Sequence, residues 1–231
     1  MGSRLRAPIG ALAWIAAATQ PVSALPVVNG AFSLGNTGFT SAYVFSPGDV
    51  FEEATYDVAS DPNASHPFAV SYGDHTSGSG LMLVVNGALE AGHTVWSQTV
   101  GVDPGTAYRF SLWVSSWYPA SPAHLSIHFD GTLVAEFDAP SATGSWTRFA
   151  TSWDSGAASS LTIEIRDLAT AQTGNDFALD DIELRVVPEP GTALLVFLGL
   201  AALGSGGAAR RRSWRRSLQI SLSRDGPRKR R

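Results

Sequence analysis

Residues 107–117 read AYRFSLWVSSW, and their alternation decides the fold. Tyr108, Phe110, Leu112 and Val114 fall on one side of an extended chain, and Arg109, Ser111, Trp113, Ser115 and Trp117 on the other. Successive side chains of a strand point to opposite faces, so this stretch predicts a strand with a core face and a polar-aromatic face. Outward along the chain the pattern recurs in Leu125, Ile127 and Phe129, and in Leu161, Ile163 and Ile165. Leu81 to Val85 is apolar throughout, as a strand buried on both faces would be. Turn signals separate these segments: Gly73-Asp74, Asn86-Gly87, Asp103-Pro104-Gly105 and Asp130-Gly131. No window shows helical periodicity. The expectation for residues 25–187 is an all-β sandwich, a jelly roll of about eight strands.

The faces opposite the core supply the candidate binding residues. Beside Leu125, Ile127 and Phe129 the alternates are His124, Ser126 and His128; beside Leu161, Ile163 and Ile165 they are Thr162, Glu164 and Arg166. If these strands neighbour residues 107–117, Trp113, Trp117, Arg109, His124 and His128 share one face. Aromatic rings flanked by orienting polar groups are what a glycan site needs; the competing reading packs one or both tryptophans under a loop or against a second sheet. Metal chemistry at the two histidines is excluded by reach, since four residues of strand separate them by about 13 Å. Glu52 and Glu53 point to opposite faces if extended, and are poor partners across a scissile bond. Asp74-His75-Thr76-Ser77-Gly78-Ser79-Gly80 reads as a polar turn, not a triad. No catalytic residue is expected.

The segment 176–184 contains a conflict. Phe177 and Leu179 have one parity, Ile182 and Leu184 the other. Burying all four requires a β-bulge at Asp180-Asp181. A bulge that combines a carboxylate with free carbonyls suits a hard, oxygen-seeking cation.

The charge is distributed unevenly. The 231 residues carry a formal net charge of −4. Residues 1–24 contribute Arg4 and Arg6 and no acid; residues 25–187 carry four arginines against eighteen carboxylates, or −14; residues 188–231 carry ten bases against Glu189 and Asp225. A body this acidic repels nucleic acid and anionic lipid. The N-terminus, with basic residues, a short apolar run and Val22-Ser23-Ala24, has the layout of a signal peptide over 1–24 cleaved between Ala24 and Leu25. Residues 191–209 (GTALLVFLGLAALGSGGAA) are uncharged and long enough to span a bilayer, at about 1.5 Å per residue against a core of about 30 Å. Arg210, Arg211 and Arg212 follow and would hold that end in the cytoplasm. Residues 213–231 form a basic cytoplasmic tail expected to be disordered.

Two resemblances follow from these motifs. Pro188-Glu189-Pro190, an apolar helix and an arginine cluster over 188–212 together resemble the PEP-CTERM sorting signal of exopolysaccharide-producing Gram-negative bacteria. That resemblance implies export, a transient inner-membrane anchor through 191–209, recognition by an exosortase-type peptidase at Pro188, Glu189 and Pro190, and delivery to the cell envelope, outer surface or extracellular matrix. Val28-Asn29-Gly30-Ala31-Phe32, Val95 to Val100, Asp103 to Trp113 and the closing Asp176 to Ile182 resemble carbohydrate-binding-module-like, galactose-binding-type jelly rolls. This second resemblance implies a noncatalytic domain associated with exopolysaccharide glycans or biofilm matrix. It also implies one structural calcium held by Asp181 with Asp180 or Asn29. The alternatives are a structural surface protein that binds proteins and, less favoured, a polysaccharide hydrolase.

Overall fold

The strand read from residues 107–117 forms as β5 (Ala107–Tyr118). It lies in a six-stranded sheet ordered β1 (Val44–Phe45), β2 (Thr55–Ala59), β3 (Met82–Asn86), β10 (Asp176–Val186), β5 and β8 (Thr147–Asp154). A four-stranded sheet, ordered β4 (His93–Gly101), β9 (Ser160–Asp167), β6 (His124–Phe129) and β7 (Thr132–Asp138), accompanies it. The computed structural model describes residues 27–188, and among them the only helix is the single turn α1 (Pro62–Ser65), capped by Asp61. No helix among the described residues is long and apolar enough to cross a membrane. The expected signal peptide 1–24, the span 191–209, the tail 213–231 and the processing residues Ala24, Leu25, Glu189 and Pro190 lie outside the described residues.

The protein is thus the expected jelly-roll β-sandwich, with ten strands in place of about eight. The excess has a physical reason. β1 is two residues long, and β7 and β8 are sheet edges whose residues are mostly half-buried or exposed, so neither shows a clean apolar alternation.

Tyr108, Phe110, Leu112 and Val114 of β5, Leu125, Ile127 and Phe129 of β6, and Leu161, Ile163 and Ile165 of β9 all enter one core between the sheets. The uniformly apolar β3 is explained by a second, smaller core. Leu83 and Val85 face the main core, whereas Met82 and Val84 join Val50, Ala69, Trp117 and Ala178 on the outer side of the six-stranded sheet. That outer core is covered by the segments flanking β2, residues 46–54 and 60–81, which contribute Val50, Ala69 and Tyr72. Asp57, buried in β2, ties the cover down by accepting hydrogen bonds from the Ser65 hydroxyl (2.7 Å) and the Gly48 amide (2.9 Å).

The parity conflict resolves as the sequence requires. Phe177, Leu179, Ile182 and Leu184 all reach the main core, and Asp181 takes a left-handed φ of 48° between the two pairs. Just past that bend the Ile182 amide donates to the Gly30 carbonyl at 3.0 Å, joining the beginning of the domain to its closing strand. A Cβ on Gly30 would collide with the Ile182 carbonyl. Gly30→Ala is therefore expected to destabilise the protein by about 1–3 kcal/mol, read as a lower urea midpoint with unchanged slope.

One buried polar hub completes the frame. Asp167, fully buried at the end of β9, accepts from the Tyr43 hydroxyl (3.0 Å), the Asn175 side-chain amide (2.8 Å) and the backbone amides of Ala88 (3.3 Å) and Ala169 (3.0 Å). Burial raises its carboxyl above the usual range despite these donors, and burial with the Asp167 charge drives the Tyr43 hydroxyl upward as well. The hub fixes residues 167–175, the lead into β10, against the chain just after β3.

Candidate functional site

A cleft of about 330 Å³ opens at one end of the six-stranded sheet, where β2 and β10 begin and β3 and β5 end. Three exposed aromatic rings line it: Phe51 (54% exposed), Phe68 (69%) and Tyr118 (41%). The wall that carries the phenylalanines is anchored through His66. Its ring stacks on Phe51 (centroids 5.4 Å apart, planes within 7°), and it meets the buried Trp117 ring at 4.9 Å. Phe68 closes the group, 5.6 Å from His66 and 6.4 Å from Phe51. Burial lowers the pKa of His66, which keeps the ring neutral near pH 7.

The polar side of the cleft consists of Glu53, Asn86, Gln172 and Asp176. Asn86 is oriented from within, donating to the carbonyls of Val50 (2.9 Å) and Phe51 (3.2 Å), so the floor and the aromatic wall are stitched together. Asp176, the first residue of β10, pairs in register with Asn86 and is 7% exposed. Burial first, and then the Glu53 charge, push its carboxyl up to about 7, although the amides of Gly174 and Gly87 act in the opposite direction. Glu53 is raised too, by burial and by Glu52. It precedes Ala54, whose left-handed φ of 57° turns the chain from the cleft rim into β2. A non-glycine residue held there costs about 1–3 kcal/mol; such strain is concentrated at functional sites.

The five residues expected to bind glycan do not come together. Arg109, Trp113 and Trp117 are on the outer face of β5, in the six-stranded sheet; His124 and His128 are on the outer face of β6, in the other sheet. Trp117 is 1% exposed and donates its indole N–H to the carbonyls of Val85 and Phe177, both at 3.1 Å. It anchors the outer core instead of offering a stacking surface. Trp113 is half-buried under the His75 ring, stacked at 3.7 Å. His124 is held by Asp138 (2.7 Å) and Glu136 (3.4 Å), which raise its pKa, Asp138 contributing most. His128 lies 3.1 Å from the Ser126 hydroxyl, beside Glu164 of β9. Beside these two imidazoles the outer face of β6 and its neighbours displays Ser126, Glu136, Asp138, Glu164, Arg166 and the exposed Leu133, with no Trp, Tyr or Phe ring among the described residues.

The expected calcium ligands have other partners. Asp180 Oδ2 accepts from the His75 amide (3.0 Å), the Thr76 amide (3.1 Å) and the Thr76 hydroxyl (3.1 Å). Asp181 places Oδ2 2.7 Å from His75 Nδ1 and Oδ1 2.8 Å from the Thr76 hydroxyl. Asn29 spends its side chain on its own turn, bonding Gly35, Thr37 and Leu34. These groups do not fit a cation cage as arranged, and no three His, Cys, Asp or Glu side chains cluster for one among the described residues. Calcium would compete with His75 and Thr76 for Asp181. With those partners in place, strong chelation is expected to leave the melting temperature unmoved; a drop in EDTA that added calcium reverses is the contrary result.

The residues that do line the cleft carry a weak sequence signal. Phe51 and Phe68 are large rings in turn-rich segments without strand parity, where no alternation assigns them to a core. Glu53 finds no partner in Glu52, its neighbour in sequence; its partner in space is Asp176, 123 residues further on.

Comparisons with known proteins agree with this architecture. Residues 186–213 match the PEP-CTERM protein-sorting motif. No curated protein sequence matches the chain. Among solved structures the chain is similar to the Stig cyclase Fisc from Fischerella sp. TAU in complex with (3Z)-3-(1-methyl-2-pyrrolidinylidene)-3H-indole, at 12% identity over 72% of this chain and 99% of that one, with a TM-score of 0.51. It is also similar to the CBM22-1 xylan-binding domain from Paenibacillus barcinonensis Xyn10C, at 18% identity over 72% and 97% of the two chains, TM-score 0.47. A Family 16 Carbohydrate Binding Module-2 gives 18% identity over 68% and 97%, TM-score 0.40. At these identities the likeness is one of fold. The class is therefore a jelly-roll β-sandwich. More particularly, the chain is one that carries a PEP-CTERM protein-sorting motif at its C-terminal end.

Proposed function

We propose that the protein is an exported cell-envelope or matrix protein whose sandwich binds glycan without turning it over. The observation that carries this reading is the cleft, where three exposed rings face fixed polar groups in about 330 Å³. Sugar rings present apolar C–H faces that stack on aromatics and hydroxyls that orient on amides and carboxylates, and the cleft divides its surface in the same way. The sorting motif supports delivery to the outer surface: a signal peptidase acts between Ala24 and Leu25, and an exosortase-type peptidase acts near Pro188, Glu189 and Pro190, removing the anchor. The ligand is then matrix exopolysaccharide, and the protein is a component of the biofilm.

Two measurements test this. Phe51→Ala and Phe68→Ala are each expected to weaken binding on a glycan array at least about tenfold, with Trp113→Ala close to neutral. Retained binding in both phenylalanine variants would overturn the cleft assignment. Mass spectrometry of the surface-extracted protein should show a chain ending near Pro188; an intact tail through Arg231 would overturn the sorting step.

A further inference from the structure

Resting on the glycan reading of this cleft, we infer that its ligand is a cationic sugar, a glycan whose amino groups are free and protonated. Glu53 and Asp176 both line the cleft, and among the described residues no lysine or arginine lines it with them. The imbalance reaches beyond the cleft. Residues 27–188 contain no lysine and four arginines. Two of these are taken by neighbouring glutamates, Arg166 by Glu164 (2.7 Å) and Arg185 by Glu183. The other two, Arg109 and Arg148, are carried by β5 and β8, and Arg148 bonds Ser111. His66, whose ring also lines the cleft, is kept neutral by burial. Asp176 is more than nine-tenths buried, and among the described residues no cation lines the cleft to compensate its charge beyond the amides of Gly174 and Gly87.

Burying an uncompensated carboxylate is costly, and burial accordingly raises the titration of both acids. A ligand that brings its own positive charge restores the ionised form of both. The aromatic wall favours the same choice, because an ammonium held near ring faces gains cation–π attraction. A neutral or uronic-acid glycan would leave the carboxylates unpaired or oppose them directly. A fully acetylated amino sugar offers an amide where the site requires a charge.

Three oligosaccharides with the same β-1,4 backbone separate the terms: hexamers of glucosamine, of N-acetylglucosamine and of glucose. Calorimetric titration into the purified chain, in mildly acidic buffer containing EDTA, is expected to show glucosamine hexamer binding at least about tenfold tighter than either neutral hexamer. Added salt should reduce this preference. Asp176→Asn and Glu53→Gln should each bring the three affinities together, whereas Phe68→Ala should weaken all three. Equal affinities for the three hexamers in the unaltered chain overturn the cationic assignment and leave the glycan cleft standing. Binding to none of them, with no response on a broader array, overturns both. Release of new reducing ends from any hexamer overturns the inference differently, by making the two carboxylates an acid–base pair. A preference unchanged in both carboxylate variants also overturns it.

Discussion

Trp117→Ala is expected to lower stability by about 3–5 kcal/mol, more than truncation of any ring in the cleft wall. Three contributions combine. The side chain is fully buried, so its removal leaves a cavity in the outer core between Met82, Val84 and Ala178. Its indole N–H satisfies two carbonyls, those of Val85 and Phe177, which lie on adjacent strands; leaving buried acceptors without a donor adds about 1–3 kcal/mol. Its ring also supports His66, and through it the Phe51 wall. Equilibrium urea unfolding measures the loss. Trp117→Phe, which keeps most of the ring but not the N–H, should recover a large part of it. Trp113→Ala is the control on the same face of the same strand. It should cost much less, since that ring is half-buried and its indole N–H has no hydrogen-bond partner among the described residues. Equal losses at the two positions would contradict an outer core built on Trp117.

Asp176→Asn is expected to stabilise the protein at pH 8 and to leave it unchanged or slightly weaker near pH 4. An aspartate in an unfolded chain titrates near 3.9, whereas Asp176 is pushed up to about 7 in the folded protein, mainly by burial and then by Glu53. Between those values the folded form keeps a proton that the unfolded form has lost. Stability therefore falls as pH rises through this window, and the loss is complete above about pH 7. The span from about 4 to about 7, at about 1.4 kcal/mol per pH unit, sets the upper limit near 4 kcal/mol. Asp180, pushed up to about 6 by burial and by Asp181, acts in the same direction over a narrower window. Asp74 acts oppositely. Burial works to raise it, but hydrogen bonds from the Gly80 amide and from the amide and hydroxyl of Ser77 outweigh burial and hold it low. Its contribution is present at neutral pH and lost on acidification. Thermal melts of both chains from pH 4 to 8 should thus cross, with the variant declining less steeply. Parallel curves would mean that Asp176 titrates normally.

Residues 107–117, 125–129, 161–165 and 81–85 make the fold legible, because alternation and its absence follow directly from which faces are buried. The break at Asp181, where the backbone turns left-handed, is legible for the same reason: a parity conflict within one strand has few solutions. Face assignment is not legible. Trp113 and His124 have the same outward parity, but parity carries no information about which sheet a strand joins, and β5 and β6 join different ones. The cover over the six-stranded sheet is also hidden. Residues 46–54 and 60–81 have no periodicity to read, so parity alone leaves Trp117 exposed, and the cleft that Phe51 and Phe68 build cannot be assembled from local pattern. Glu53 and Asp176 meet only through the sheet order β2–β3–β10, a relation between distant segments.

The placement of His66 between Phe51 and Trp117 has consequences for how this surface can change over time. The same ring packs against the cleft wall at Phe51 and against the buried Trp117, so a substitution that alters the wall also perturbs folding. Changes at positions 51, 66 and 117 should be strongly non-additive in double-mutant cycles. Phe68 and Gln172 are exposed and neither touches the buried Trp117 ring directly, so the cleft surface can change there at little thermodynamic risk. Variation among descendants of this sequence is thus channelled to the exposed positions of the cleft, while those tied to Trp117 are kept constant by the demands of folding.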